Sequence, residues 1–249
     1  MKQIHILLLA VFAPFFAFSQ SLTATEVIKK SDDKIRGNSN RAEIKMTVVR
    51  PSWTREMTMK SWAKGDDLAL ILVTSPARDQ GIVHLKRDRE LWNWQPSIDR
   101  IIKLPPSMML QSWMGSDFTN DDLVKESSSV NDYTHAFGKD STIAGMECFK
   151  LILSPKPGAA VVWGEIYTWI SKKDFIQLCV EFYDEDGELV NTMIGSNIKD
   201  MGGRLLPAKL EMTPSDKEGH KTIIEYISMQ FNEEMKEDFF TEQNMKRVK

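Results

Sequence analysis

Soft apolar side chains are the most informative residues in this sequence. The chain has 14 Met and 7 Trp, and Met is flexible and polarisable, which suits surfaces that accept varied apolar shapes. A cluster from Met108 to Met114 follows Pro105-Pro106 and precedes Gly115, so it predicts a surface loop or lid rather than a packed strand. Apolar side chains in a loop need a partner, a ligand or a cavity to cover. Any single Met or Trp is more often a core residue, but this cluster favours a binding surface.

Strand faces are expected to complete this apolar surface. The predicted ligand-contacting set combines soft apolar residues of the strands with those of the loop: Met46, Val48, Trp53, Met57, Met59, Leu70, Leu72, Trp92, Trp94, Met108, Met109, Trp113, Met114 and Phe118. Burial of a sixteen-carbon acyl chain would gain on the order of 10 kcal/mol gross at ~0.8 kcal/mol per methylene. Association and ordering cost several kcal/mol of that gain. The remaining free energy would support reversible binding of the acyl chain.

The residue types that commonly catalyse reactions do not occur in this sequence at the spacings of known catalytic motifs. The sequence has no Gly-x-Ser-x-Gly elbow, Walker loop, dinucleotide fingerprint or His-Glu-x-x-His motif. His84, His135 and His220 are too scattered for a zinc site, and the adjacent Asp121 and Asp122 suit the first turn of a helix. We therefore expect no enzyme, no metal and no cofactor. The alternative is an exported hydrolase whose residues assemble only through tertiary contacts.

The N-terminus predicts export. Lys2 precedes an apolar run from Ile6 to Phe18, and small residues precede Gln20 as at a signal-peptidase site. We predict a signal peptide over residues 1–19 and a mature chain over residues 20–249. An N-terminal membrane anchor is the alternative, but the apolar run is shorter than the roughly 20 residues that span a bilayer.

The net charge limits the classes of partner that the protein could bind, and the cysteine content limits the disulfides that it could form. The formal net charge is −3, which provides no basic surface for nucleic acid. Cys148 and Cys179 could form a disulfide in an oxidising compartment. Two buried free thiols fit their apolar surroundings equally well.

One helix followed by strands is the predicted order of elements. Thr23 and Glu26 form a capping box, and Gly37 is typical of a helix end. About a dozen strands with alternating polarity follow, one of them over Ser141–Leu153, and Thr119 caps a short central helix. Strands without βαβ alternation indicate a sandwich or barrel in a single domain.

Three stretches of the sequence resemble the LolA-like outer-membrane lipoprotein-sorting proteins. They are Leu91-Trp92-Asn93-Trp94-Gln95-Pro96, Asp99-Arg100-Ile101-Ile102-Lys103-Leu104-Pro105 and Trp113-Met114-Gly115-Ser116-Asp117-Phe118-Thr119-Asn120-Asp121-Asp122-Leu123. The Met-Gly-Ser-Asp-Phe segment is the specific part, and the similarity extends over most of residues 20–249. The resemblance implies a mainly β fold, in which a strongly curved antiparallel sheet forms an incomplete β-barrel. Short N-terminal and central helices would cover an apolar cavity.

The resemblance also implies a function in the periplasm. Such a protein would bind the acyl chains of lipoproteins or lipids and move them toward the outer membrane, with an inner-membrane transporter and an outer-membrane acceptor as partners. We expect a monomer. An arginine on the inner sheet holds the lid shut in the lipoprotein carrier, and strand parity makes Arg55 the corresponding candidate here. Since similar proteins are often associated with resistance–nodulation–division transporters, the alternative is an accessory subunit that docks there without cargo.

Overall fold

An α-helix opens the part of the chain that the computed structural model describes, which comprises residues 22–125, 128–159 and 161–249. This helix, α1, spans Ala24–Arg36. The predicted capping box is present, because the Thr23 hydroxyl accepts the amide of Glu26 and the Glu26 carboxylate accepts the amide of Thr23. Gly37 ends the helix with a φ of 62°. The predicted signal peptide, residues 1–19, lies outside the described residues.

Strands make up most of the remaining described residues. They are β1 (Ser39–Arg50), β2 (Trp53–Lys64), β3 (Leu68–Ser75), β4 (Val83–Arg87), β5 (Glu90–Gln95), β6 (Arg100–Lys103), β7 (Tyr133–Phe137), β8 (Ser141–Ile143), β9 (Met146–Pro155), β10 (Glu165–Ser171), β11 (Gln177–Tyr183), β12 (Leu189–Met201), β13 (Arg204–Pro214) and β14 (Lys221–Phe231). The further α-helices are α2 (Asn120–Lys125), α3 (Ser128–Asn131) and α4 (Glu242–Met245). Single 3₁₀ turns occur at Pro96–Ile98, Pro106–Met108, Trp113–Gly115 and Glu237–Phe239. The predicted central helix is α2, since the Thr119 hydroxyl accepts the amide of Asp122.

The strands form one antiparallel sheet. Their order is β6-β5-β4-β3-β2-β1-β14-β13-β12-β11-β10-β9-β7, and β8 pairs with β9 beside this path. Because β6 and β7 are the two ends of the order, the curved sheet is not closed into a barrel. The predicted mainly β fold with an incomplete barrel is confirmed.

The prediction of a single strand over Ser141–Leu153 is wrong. The structure divides this stretch into β8 and β9, which pair as a hairpin with Ile143 opposite Met146. Ala144 and Gly145 between them have φ values of 49° and 79°, which are the left-handed values of a tight hairpin turn. Apolar residues continue across the turn, so periodicity alone did not reveal it.

The two faces of the sheet have different covers. On the inner face, Val27 and Ile28 of α1 pack against Leu151 and Ile166 of β9 and β10. On the outer face, the C-terminal segment, defined as residues 233–249, packs against β3, β4 and β5. The sheet therefore has apolar residues on both sides along β3. No helix among the described residues is long and apolar enough to cross a membrane.

Candidate functional site

A cavity of about 360 Å³ lies between α1 and the inner face of the sheet. This volume falls within the range of small-molecule pockets, about 300–1,000 Å³. Its apolar wall includes Ile28 of α1, Ile166 and Val180 of neighbouring strands, and Met212 and Ile224 on the far side. Because these residues come from elements spread over the sheet, the curvature of the sheet itself produces the cavity.

A lid segment, defined as residues 113–122, closes one side of this cavity. Its Trp113 and Phe118 line the cavity wall. Trp113 is 4% exposed, and its amide donates to the carbonyl of Phe118 at 2.7 Å. Met114 and Gly115 at the tip have positive φ values of 50° and 72°. The lid segment is thus a tight loop with an aromatic anchor at its base.

A buried ion pair fixes the tip of the lid segment to the sheet. Arg50 Nη2 lies 3.0 Å from Asp117 Oδ1, and the two side chains are 11% and 7% exposed. Arg50 Nη2 also donates to the carbonyl of Gly115 at 2.9 Å. The Thr222 hydroxyl donates to Asp117 Oδ2 at 2.6 Å, and the Asp117 amide donates back to Thr222 Oγ1 at 2.9 Å. We call Arg50, Asp117 and Thr222 the latch.

Sequence reasoning missed the latch. Asp117 belongs to the Met-Gly-Ser-Asp-Phe segment, which is the most specific part of the family resemblance. The sequence alone therefore drew attention to this residue. Its partners Arg50 and Thr222 lie at the ends of β1 and β14, about 70 and 100 residues away in sequence. Only the pairing of β1 with β14 brings these ends together.

Arg55, which strand parity nominated as the lid-holding residue, contacts the lid segment. Its Nη2 donates to the carbonyl of Met114, and Arg55 pairs with Val48 across β1 and β2. A Cβ added to Gly115 would lie 3.4 Å from the same Nη2. That Arg55 holds the lid segment shut stays a prediction.

The predicted ligand-contacting residues divide into three groups. Met59, Trp113 and Phe118 line the cavity. A second group packs in one apolar cluster with Met59 and Trp113: Met46, Val48 and Met57, which are buried, and Met114 of the lid segment itself, which is partly buried. The third group lies elsewhere in the fold.

The third group consists of residues that alternation along the strands could not assign to the inner or the outer face of the sheet. Leu70, Leu72, Trp92 and Trp94 pack in the cluster beneath the C-terminal segment. Of the other members, Met109 packs on Leu91 and Leu104, Met108 is half-buried and Trp53 is 47% exposed. Since β3 is apolar on both faces, alternation cannot tell which face points inward.

Much of the observed wall comes from residues that the prediction did not include. They lie on α1 and on the second half of the sheet, for example Ile28, Leu153, Ile166, Val180, Met193 and Ile224. The alternation of apolar residues in β9, β10 and β14 was a usable signal for them. The emphasis on Met and Trp directed attention to the first half of the chain instead.

His84 is a buried histidine next to the lid segment. Its Nδ1 lies 2.6 Å from Asn93 Oδ1, and its ring meets that of Trp113 edge-on at 5.5 Å between centroids. Burial lowers the pKa of His84 to about 4, although the hydrogen bond to Asn93 acts in the opposite direction. The imidazole is therefore neutral at neutral pH.

Asp122 is a carboxylate in the cavity wall. It accepts hydrogen bonds from the Thr119 amide at 2.7 Å and from Trp163 Nε1 at 3.4 Å. Burial raises the pKa of Asp122, and the neighbouring Asp121 acts in the same direction. The capping role of Asp122 explains why a carboxylate lies here without a catalytic partner.

Metal and thiol chemistry have little support at this site. In the three described ranges, no group of three or more His, Cys, Asp or Glu side chains could hold a metal ion. Cys148 and Cys179 are both free thiols. Burial raises the pKa of Cys179 to about 11, which disfavours the reactive thiolate.

Comparison with known proteins identifies the family and the fold. The model of a family described only as "-like: Uncharacterized protein" matches residues 65–247, which is more than half of the chain. The chain belongs to this family. No curated protein matches it.

Solved structures show that this family member has the LolA fold. A DUF1329 family protein from Desulfovibrio piger has a TM-score of 0.81 at 20% identity, covering 89% of this chain and 97% of its own. A domain named for outer membrane lipoprotein sorting, from Vibrio parahaemolyticus, has a TM-score of 0.80 at 20% identity, with coverages of 90% and 98%. A LolA superfamily protein from Nitrosomonas europaea has a TM-score of 0.76 at 21% identity, with coverages of 90% and 100%. The resemblance seen in the sequence is confirmed, and the chain matches these structures over nearly their full lengths.

Proposed function

We propose that this LolA-like protein is a periplasmic carrier that binds the acyl chains of lipoproteins or lipids in its cavity and moves them toward the outer membrane. The observation that carries the proposal is the cavity between α1, the sheet and the lid segment. Its apolar wall matches the chemistry of an acyl chain, and the names of the similar structures point to lipoprotein sorting.

The energetics suit reversible binding. Each methylene that leaves water for the apolar wall contributes about 0.8 kcal/mol. Loss of translational freedom and ordering of the acyl chain offset several kcal/mol of this gain. No covalent step is needed to load or release such a ligand.

The latch provides a means of controlling access. Arg50 and Asp117 join the sheet to the tip of the lid segment, Arg55 donates to the carbonyl of Met114 in the same tip, and Trp113 is an apolar anchor. Separation of the ion pair and of these hydrogen bonds would free the tip while α1 stays packed on β9 and β10. The lid segment then opens without unfolding of the sheet.

The partners and location follow from the same proposal. Residues 1–19 would act as a cleavable signal peptide, and the mature protein would work as a monomer between an inner-membrane transporter and an outer-membrane acceptor. The alternative, a docking subunit without cargo, requires an interior that the protein's own side chains fill. The cavity supports the carrier instead.

A matched pair of variants tests the proposal. Ile224 on β14 lines the cavity, whereas Ile227 on the same strand is 56% exposed. We expect Ile224→Trp to weaken binding of a fluorescent fatty acid at least about tenfold, which corresponds to about 1.4 kcal/mol, and Ile227→Trp to leave it unchanged. Solvent extraction of the native protein should also yield bound lipid. No binding by the unmodified protein and no extractable lipid would overturn the proposal.

A further inference from the structure

Polar side chains of α1 and of neighbouring parts of the sheet meet in one part of the cavity wall. On α1, Ser31, Asp32 and Arg36 follow Ile28 along the face that lines the cavity, since residues three, four and eight positions apart share a helix face. Asn40 of β1, Asp66 in the turn after β2 and Lys86 of β4 line the same cavity. We call Ser31, Asp32, Arg36, Asn40, Asp66 and Lys86 the polar pole.

The charges at the polar pole are balanced. Arg36 Nε lies 2.9 Å from both carboxylate oxygens of Asp32 and 3.8 Å from Asp66 Oδ1. Lys86, which is 6% exposed, donates from Nζ to the carbonyl of Asp66 at 2.8 Å. Asn40 Nδ2 donates to the carbonyl of Arg36 at 3.1 Å. Two cations therefore lie among two carboxylates, and a ligand with a net charge would disturb this balance.

Two hydrogen-bonding groups in the cavity wall have no partner among the described residues. They are Ser31 Oγ and Trp113 Nε1, and both residues line the cavity. Ser31 is 3% exposed and Trp113 is 4% exposed, so bulk water does not solvate them. A pure hydrocarbon would leave both groups unpaired, whereas a ligand with oxygen atoms could pair with them.

We infer that the ligand is an acylglycerol-type amphiphile, with an uncharged head that carries hydroxyl and ester oxygens at the polar pole. The inference rests on the proposed function, since it assigns the head of the molecule whose acyl chain fills the apolar part. A free carboxylate would add negative charge to a cavity whose wall also contains Asp121 and Asp122. A quaternary ammonium head would lie beside Arg36 and Lys86 and has no hydrogen-bonding group for Ser31. A glycerol head both donates and accepts hydrogen bonds, which suits the mixed groups of the polar pole.

Competition among ligands with the same chain tests this inference. The purified protein is loaded with a fluorescent fatty acid, which is displaced by 1-lauroylglycerol, laurate, methyl laurate or dodecyltrimethylammonium, each below its micelle concentration. We expect 1-lauroylglycerol to bind about tenfold tighter than the other three, since its hydroxyls both donate and accept hydrogen bonds at the polar pole without adding charge, whereas the ester of methyl laurate only accepts them. Ser31→Ala should remove most of this advantage and weaken methyl laurate less. Ser52→Ala, at an exposed position in the turn after β1, is the matched control.

Failure of this inference can be distinguished from failure of the carrier proposal. If all four ligands displace the probe equally, or if Ser31→Ala weakens 1-lauroylglycerol and methyl laurate alike, the assignment of the head is wrong and the carrier proposal stands. If the probe does not bind at all, the carrier proposal itself fails. Tightest binding of laurate would contradict the balanced-charge argument specifically.

Discussion

The lid segment and the C-terminal segment cover opposite faces of the same sheet by different means. The C-terminal segment inserts Phe240 and Met245, which are 0% and 1% exposed, into an apolar cluster with Leu85. Its ion pairs, such as Lys246 with Asp99, are exposed and contribute little. The lid segment instead holds its tip with the buried latch and leaves a cavity behind it. One cover is packed for stability, and the proposed function requires the other to open.

The largest effect that separates the two covers is expected at Phe240. Phe240→Ala should lower the free energy of unfolding by about 3–5 kcal/mol, because it empties a fully buried aromatic site. Urea denaturation measures this loss, and Phe239→Ala, at a half-buried neighbour, should cost less. Ligand affinity of the folded fraction should not change. A large loss of affinity at Phe240 would show that the outer face takes part in binding.

Acid should weaken the inner face through His84. The folded-state pKa of His84, about 4, lies below its ordinary value of 6.5, so the unfolded state takes up the proton first as the pH falls. The contribution of neutral His84 to the stability of the fold is therefore present above pH 6.5 and is lost as the pH falls from 6.5 to about 4. The difference between these two pKa values corresponds to roughly 3 kcal/mol in the free energy of unfolding. His84→Gln should remove this part of the pH dependence, measured as the difference between variant and wild type in urea denaturation at pH 7 and pH 4. An unchanged profile in His84→Gln would refute the assignment.

Loss of the latch should affect ligand exchange as well as stability. Asp117→Asn replaces the ion pair with Arg50 by a weaker neutral contact, so we expect a stability loss of about 2 kcal/mol. The rate of release of a bound fluorescent fatty acid should rise about tenfold in stopped-flow measurements, since opening of the lid precedes release. Asp216→Asn, at an exposed position, is the control. An unchanged release rate in Asp117→Asn would mean that the latch does not control access.

The smallest effect is expected at the exposed ion pair of the C-terminal segment. The side chain of Asp99 is 82% exposed and lies 3.1 Å from Lys246 Nζ. Asp99→Asn should change the free energy of unfolding by less than about 1 kcal/mol, and Asn tolerates the positive φ of this position. A larger loss would show that charge, and not apolar burial, holds this segment.

The sequence predicted the fold well because local signals agreed with each other. The capping box at Thr23 and Glu26, the Gly37 helix end and the strand alternation each depend on neighbouring residues. The turn at Ala144-Gly145 was missed because apolar residues continue on both sides of it. The family resemblance added the curvature of the sheet, which periodicity alone does not determine. The loop or lid was predicted from the apolar cluster Met108 to Met114, which overlaps the start of the lid segment.

The site was predicted less completely because it depends on distant residues. Of the predicted residues, Met59, Trp113 and Phe118 line the cavity. Leu70, Leu72, Trp92 and Trp94 pack against the C-terminal segment instead. The C-terminal residues cover the outer face by packing on β3, β4 and β5, which are far away in sequence, so no local pattern indicated this contact. The latch likewise depends on the register of β1 with β14, and no local pattern encodes that register.

Photo-crosslinking of a bound acyl chain tests the carrier account most directly. A fatty acid with a diazirine near the end of its chain would be bound, irradiated and located by mass spectrometry of the digested protein. The account predicts labels on inner-face residues such as Ile166, Val180 and Ile224, and fewer labels after Ile224→Trp. Labels confined to Leu85 and Phe240 on the outer face, or no labels above the level of denatured protein, would contradict it.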